Sequence, residues 1–501
     1  MPQNPRRSAL RSLPAALPAL AVATLLAAGC APAGDGTAAG RAEEPERPDI
    51  LLLTVDTQRA DRLSAWGNPR PTSPILDRMA TEGVRFAAAR VHRPKTTASF
   101  TSIFTSSYCS DHLVRKIGED SASCNLDFLA EELRALGYQT HAVVANAALA
   151  REFRFDQGFE TYIETWKVTP KTAGLDPTGA TAVTDLAVDL LGTLKDDRPY
   201  FLWVHYVDPH EPYSPAGPYR DLYQDDEHAG PPVEVPISDG NHRHSFGSIS
   251  RKQLVDERTD LPFYVSRYDA EVRYADQEID RLLAALRRRG DYDRMLTVMT
   301  SDHGESLGEH NYWFDHGMFA FQTCLHVPLI VRYPGVLAPR ADADPVALID
   351  LAPTILELAG RRLRDGGWRR GRSLVARMRG EASGADTITF SEAGYSYSGN
   401  WVHAAVDRRF ALHHLLGYND GKRVAKREGA KYALFDLVDD PGETVDVSDR
   451  FPEDFERLKR ALDEWEALEP LPLTRGNEDC GDAVSAEAET LKQLKALGYV
   501  D

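Results

Sequence analysis

Residues 299–317 of this chain read MTSDHGESLGEHNYWFDHG, and their types can do chemistry. Asp302 and His303 are adjacent, a hard carboxylate beside a borderline imidazole, and together they suit a divalent metal. Thirteen positions after His303, His316 stands in a second polar turn bounded by glycine. Elsewhere Asp56 is followed by Thr57, Arg59 and Asp61, a hydroxyl-rich run covers residues 96–106 from Thr96 onward, and Asp208 and His210 share a proline-bounded turn. Each has a plain structural reading. Asp56 or Thr96 could cap a helix, Arg59 could pair with a neighbouring carboxylate, and Asp-His-Gly occurs in ordinary turns. Brought together, they would suit a metal that activates a hydroxyl nucleophile, flanked by groups that steady an anion.

The elements around these residues place them at strand ends. Residues 49–55 form a continuous apolar run that reads as a buried parallel strand and delivers Asp56 at its carboxyl end. Residues 139–145, 200–206, 294–300 and 327–332 read the same way, and a strand is expected shortly before Thr96. The third run leads to Asp208 and His210, and the fourth to Asp302 and His303. Helices are expected over residues 74–83, 125–136, 180–194, 263–289 and 348–358, so strands and helices alternate. Open α/β sheets bind ligands at the carboxyl ends of their strands. From about residue 387 the texture changes to short strands (387–391, 401–406, 409–415, 432–437), then helices over 452–468 and 487–499. The expected domains are a catalytic α/β domain over 48–385 and a small α+β subdomain over 386–501.

With 501 residues the chain can bury a large core. Its formal net charge of −18 argues against nucleic acid as a partner, but allows a small anionic substrate at a locally positive site. Arg6, Arg7 and Arg11 precede an apolar run over residues 13–28 that ends at Cys30. This is the order of an export signal. It resembles a bacterial lipoprotein signal, so 1–30 is expected to direct export to the periplasm or cell envelope, with Cys30 lipidated and membrane-bound; cleavage without lipidation is the alternative. Residues 31–47 read as a flexible tether. Apart from Cys30 there are Cys109, Cys124, Cys324 and Cys480. Export permits disulfides, and Cys109–Cys124 closes the shortest loop.

Several separate segments together resemble the sulfatase family of the alkaline phosphatase superfamily. They are Val55-Asp-Thr-Gln-Arg-Ala-Asp61, Lys95-Thr-Thr-Ala-Ser99, Asp208-Pro-His-Glu-Pro212, Ser301-Asp-His-Gly-Glu305, His316-Gly317, Val327-Pro-Leu-Ile330 and Leu494-Lys-Ala-Leu-Gly-Tyr499. The resemblance implies an alkaline-phosphatase-like three-layer sandwich with a mostly parallel central sheet. It also implies a divalent metal (Zn, Mn, Ca or Mg) held by Asp56, Thr96, Asp302 and His303, with Thr96 as nucleophile. His210 and His316 would be catalytic and substrate-binding, Arg59 would bind substrate, and a second metal on Asp208, His210 and His316 is conceivable by analogy with two-zinc relatives. Thr57 stands where many members carry a second acid.

The main departure from the family is at the nucleophile. Sulfatases oxidise a Cys or Ser to formylglycine, but a threonine β-carbon bears a methyl group and cannot give the aldehyde. Ala98 and Phe100 also replace residues of the modification motif, so no formylglycine is expected. The resemblance then points to the superfamily's phosphodiesterases and phosphoethanolamine transferases, which attack with a threonine. A phosphorylated threonine can be released by attack at phosphorus, whereas a sulfated one would tend to break its carbon–oxygen bond. The expected substrate is therefore a small phosphodiester or phosphonate ester, such as a lipid head group or glycan. The alternatives are sulfate ester hydrolysis and a catalytically inactive anchored binding protein. Glu305, Glu309 and His310 read as a helix's first turn rather than a site.

Overall fold

Five of the apolar runs become adjacent strands of one sheet in the computed structural model, which describes residues 47–169, 176–224, 233–238, 247–361, 363, 367–395, 400–416, 431–471 and 486–499. The expected signal, tether, Cys30 and Cys480 lie outside these. The sheet is built from β1 (Ile50–Val55), β2 (Val84–Arg90), β3 (Gln139–Val144), β4 (Thr161–Glu164), β5 (Tyr200–Tyr206), β6 (Leu296–Thr300), β7 (His326–Arg332), β8 (Arg340–Asp342) and β9 (Val346–Ala347). Their order is β8-β2-β7-β6-β1-β5-β3-β4, with β9 also pairing β2. β1 runs parallel to β5 and β6, and β3 parallel to β4 and β5. β7 runs antiparallel to both β2 and β6, so β2 points the same way as β6. The carboxyl ends of β1, β2, β3, β5 and β6 therefore share one edge.

Side chains alternate along β1. Ile50 and Leu52 enter one core, and Leu51, Leu53 and Val55 enter the other. Both faces are covered, so the run is apolar except at Thr54, whose buried hydroxyl is hydrogen-bonded. The helices are α1 (Pro74–Glu82), α2 (Thr96–Thr105), α3 (Leu129–Ala135), α4 (Ala180–Leu191), α5 (Leu261–Arg289), α6 (Leu351–Leu358), α7 (Pro452–Glu466) and α8 (Ala488–Ala496). Phe100 and Phe104 of α2, Leu133 of α3 and Ile355 of α6 fill the first core; Leu76 of α1, Val183 of α4 and Ile279 of α5 fill the second. The long α5 begins at Asp260, whose carboxylate accepts from Phe263 N–H at 3.2 Å, and stops at Gly290 in the left-handed region (φ 83°).

The helix expected over 125–136 is shorter at its start. Asn125 N–H bonds the Ser123 hydroxyl at 3.2 Å and Leu126 N–H bonds the Ser123 carbonyl at 3.2 Å, a local turn that competes with the helix. Beyond residue 387, β10 (Thr389–Tyr395), β11 (Asn400–Val406), β12 (Phe410–Leu416) and β13 (Tyr432–Asp436) form an antiparallel meander. One of its faces packs Leu412 and Leu434 on Leu458 and Leu462 of α7, while Ala404, Ala411 and Phe435 join the first large core. Helix α8 packs away from this meander: Thr490 bonds Glu152 at 2.9 Å, beside β4 of the large sheet. The Cys109–Cys124 bridge does not form. Cys109 is a buried free thiol, as is Cys324, and Cys124 is disulfide-bonded elsewhere. Among the described residues no helix is long and apolar enough to cross a membrane.

Candidate active site

Five strand ends bring the polar residues together. Asp56 follows β1, its N–H bonded to the Tyr206 carbonyl at 2.9 Å. Thr96 opens α2 after β2, Asn146 follows β3, His205 and His210 lie at and beyond the end of β5, and Asp302 and His303 follow β6. All are buried. Ligand atoms of Asp56, Asp302 and His303 lie within 4.8 Å of one another. His303 Nε2 is 3.2 Å from Thr96 Oγ1, 3.4 Å from Asp302 Oδ2 and 3.9 Å from Asp56 Oδ1. His303 Nδ1 is 3.0 Å from the Gly304 carbonyl, which can only accept. Nδ1 therefore carries the proton in the neutral ring and Nε2 presents a lone pair, as a metal-binding histidine requires.

These residues fit a divalent cation. Asp56 Oδ1 and Asp302 Oδ2 are buried without a hydrogen-bond partner, and an uncompensated buried carboxylate costs several kcal/mol. Burial works to raise both carboxyls. At Asp302 it prevails, with the Asp56 charge adding to it, and the group is pushed well up. At Asp56 contacts with His205, His210 and His303 reverse it and hold the carboxyl well down. Two carboxylates, an imidazole and an adjacent hydroxyl form a mixed oxygen and nitrogen set compatible with zinc or manganese and rich in the oxygen donors that harder ions prefer.

A surrounding layer fixes these groups. Asn146 Nδ2 donates to Asp56 Oδ2. The Trp203 indole donates to Thr54 Oγ1 at 2.9 Å, and that hydroxyl lies 2.9 Å from His205 Nδ1. His205 Nε2 in turn faces Asp56 Oδ2 at 3.4 Å. Ser99 Oγ holds the Asp302 carbonyl at 2.6 Å, and Ser301 Oγ holds the His303 carbonyl at 2.6 Å. Thr57 sits at φ 52°, a conformation costly for a β-branched residue, and its carbonyl accepts from Tyr268 OH at 2.7 Å.

The other expected residues divide. His316 lies against His303, ring centroids 4.2 Å apart, and 5.4 Å from His210. Its Nδ1 is 3.1 Å from Glu305 Oε1, and Tyr213 OH donates to Glu305 Oε2 at 2.7 Å. Glu305 is thus a buried partner of the site and not a solvated helix turn. Burial drives His316 well down and Glu305 well up. Arg59 has its guanidinium committed to Asp61 at 2.9 and 2.7 Å, to Glu309 at 2.8 Å and to the Glu305 carbonyl at 3.0 Å. That is the ion-pair alternative for this residue. Asp208 does not join His210 and His316. It bonds the Ala180 backbone at the start of α4, and burial pushes it up to about 7, with Asp176 and Glu278 adding to the shift. Among the described residues the second-metal set is therefore not assembled. A separate cluster, His92, Cys109 and Glu392, is structural. His92 bonds the Phe390 carbonyl at 3.2 Å and the Cys109 N–H at 3.1 Å, while Glu392 pairs with Arg93 and Arg115.

Sequence reasoning passed over Asn146, His205, Glu305 and Tyr499. Asn146 directly follows the apolar run 139–145, so the strand-end logic that found Asp56 reaches it too. Tyr499 Oη lies 2.9 Å from His210 Nε2, 2.9 Å from Asn146 Nδ2 and 3.3 Å from Thr96 Oγ1.

A family model described as Sulfatase matches residues 48–361, more than half of the chain. The chain belongs to the sulfatase family. A second sulfatase-type model, N-sulphoglucosamine sulphohydrolase C-terminal, matches residues 308–467 across the meander and α7. An arylsulfatase of Clostridium perfringens is 24% identical over 471 residues, covering 83% of this chain and 94% of that one. A choline-sulfatase of Rhizobium meliloti is 31% identical over 227 residues, 42% of this chain and 43% of that one. The phosphonate monoester hydrolase of Agrobacterium radiobacter superposes with a TM-score of 0.66 at 21% identity, covering 84% of this chain and 96% of that one. A structure solved with its substrate D-glucosamine-2-N,6-O-disulfate superposes with a TM-score of 0.67 at 20% identity, covering 84% and 98%. This sulfatase-family chain is thus a hydrolase with the expected α/β fold and antiparallel C-terminal sheet.

Proposed function

We propose that this sulfatase-family hydrolase cleaves or transfers small phosphodiester or phosphonate esters through a phosphoryl-threonine intermediate on Thr96. The observation that carries the reading is the Thr96 hydroxyl at the start of α2, 3.2 Å from His303 Nε2 and beside two carboxylate oxygens that lack partners. A divalent cation held by Asp56, Asp302 and His303 would supply positive charge that lowers the pKa of the hydroxyl and draws charge from the ester's free oxygens. Thr96 Oγ1 attacks phosphorus, and its place at the N-terminus of a ten-residue helix favours the anionic substrate. His210 or His316 gives a proton to the departing oxygen, and Glu305 holds the His316 ring for that purpose. Water or an acceptor hydroxyl then releases the phosphoryl group from Thr96.

Sulfate esters are the second reading, favoured by relatives whose names are sulfatases. The methyl group of Thr96 weighs against it, because the aldehyde route is closed. Export and anchoring through Cys30 belong to the same proposal, and would place the centre outside the cytoplasm near a membrane; mass analysis of the mature N-terminus tests that. For the chemistry, one preparation is assayed on an aryl phosphodiester, an aryl phosphonate monoester and an aryl sulfate, alongside Thr96→Ala. Faster turnover of the phosphorus esters, abolished in Thr96→Ala, is expected. Dominant sulfate turnover overturns the substrate preference, and an active Thr96→Ala overturns the nucleophile.

A further inference from the structure

Tyr499 reaches the nucleophile from the far end of the chain, and the chemistry above gives it no task. His210 Nδ1 is 3.0 Å from the Glu211 carbonyl, which can only accept, so the neutral ring carries its proton on Nδ1 and a lone pair on Nε2. Tyr499 Oη, 2.9 Å from that Nε2, must donate to it. Asn146 Oδ1 accepts from Ala148 N–H at 2.8 Å, which fixes Nδ2 as the donor to Tyr499 Oη at 2.9 Å. The remaining lone pair of Oη is available to Thr96 Oγ1 at 3.3 Å. Among the described residues the other hydrogen-bond partner of the Thr96 hydroxyl is His303 Nε2 at 3.2 Å, an atom of the metal-binding group. A cation there would occupy that lone pair, and the hydrogen-bonded acceptor that remains for the Thr96 proton is Tyr499 Oη.

The positioning of Tyr499 is specific. Helix α8 ends in a Schellman turn, with Tyr499 N–H bonded to the Leu494 carbonyl at 2.9 Å and Gly498 N–H to the Lys495 carbonyl at 3.3 Å. Gly498 adopts φ 73°, and a β-carbon there would stand 2.8 Å from Glu211 Oε1. The helix is held to the large sheet through Thr490 and Leu494, both fully buried. The Leu-Gly-Tyr ending thus places a phenol inside the reaction pocket.

We propose that Tyr499 is a catalytic residue that passes the Thr96 proton to His210. This rests on Thr96 being the nucleophile. As Thr96 Oγ1 bonds to phosphorus, its proton moves to Tyr499 Oη and the proton of Tyr499 moves to His210 Nε2. Tyr499 ends neutral, as it began. His210 becomes the imidazolium that delivers its proton to the departing oxygen, so the transfer needs no further reactant.

The test compares wild type, Tyr499→Phe and Thr96→Ala on the best substrate, as a nitrophenyl ester and as an alkyl ester of the same acid. Phenylalanine keeps the ring and its packing, and thermal unfolding with bound-metal analysis confirms an intact centre. Tyr499→Phe should lower kcat on the alkyl ester by about 10²-fold or more, with KM unchanged. The loss should be smaller for the nitrophenyl ester, whose leaving oxygen needs less protonation. An unchanged kcat, or equal losses on both esters, overturns the relay. If Thr96→Ala turns over as fast as wild type, it is the nucleophile reading that has failed.

Discussion

At Asp56 the carboxylate is held from several sides: Asn146 and His205 on Oδ2, and the unpartnered Oδ1 towards Asp302 and His303. Such orienting neighbours typically contribute 10–100-fold to metal affinity. His205→Phe should therefore weaken metal binding by about that factor, read by chelator competition, while Thr96 remains in place. Asp302→Ala should go further and leave the protein without tightly held metal after mild purification. The core of this site was legible because Asp56, Asp302 and His303 are reactive types at the ends of apolar runs. The same rule reaches Asn146. Tyr499 lies in a segment that carries the family resemblance, but nothing local gives it a task or separates Arg59 the anion clamp from Arg59 the partner of Asp61 and Glu309, since both depend on what the fold brings alongside. Glu305 was misread for a related reason. Acidic residues near a turn are common, and only its burial between Tyr213 and His316 shows its use.

The strands and their ends were largely readable because a strand covered on both faces is mostly apolar, with β-branched and aromatic residues dominating. The short β4, β8 and β9 carry too few residues for a pattern, and the reversed direction of β7 is set by connections and neighbours rather than by its own sequence. Between elements, one buried contact joins the segment before α2 to β10. Glu392 accepts from Arg93 at 2.9 Å and Arg115 at 3.1 Å, and Arg93 also donates to the Gly394 carbonyl at 2.8 Å. Burial alone would raise this carboxyl, but Arg93, His92 and Arg115 hold it at about 2 against its ordinary 4.5. A folded-state value below the unfolded one means stability that is complete above pH 4.5 and lost as pH falls towards 2. At about 1.4 kcal/mol per unit the contribution is on the order of 3 kcal/mol. Glu392→Gln should lower the Tm at pH 7 and lose less of it than wild type on acidification from pH 5 to 3. At the turn after α8, Gly498→Ala should cost about 1 kcal/mol from its positive φ and lower kcat while the tyrosine hydroxyl is retained.

Across the molecule, the cation and the fold should stabilise each other. A ligand at 100 times its Kd adds about 2.7 kcal/mol, so chelation should lower the Tm of wild type by a few degrees and leave that of Asp302→Ala unmoved. The α/β class was visible in the alternation of strands and helices, and the three-layer sandwich was what the family resemblance implied. Less visible was that α8, read as part of the C-terminal subdomain, docks beside Glu152 and Trp166, which lie on either side of β4 in the chain. That docking sets an order of events. Thr96 and Tyr499 meet across 403 positions of chain, so their contact closes one of the longest loops available and pays its closure entropy late. During refolding, catalytic activity should return after the sheet has formed and its tryptophans are buried. In the native state, fraying of α8 alone would silence the enzyme while the rest of the molecule stayed folded.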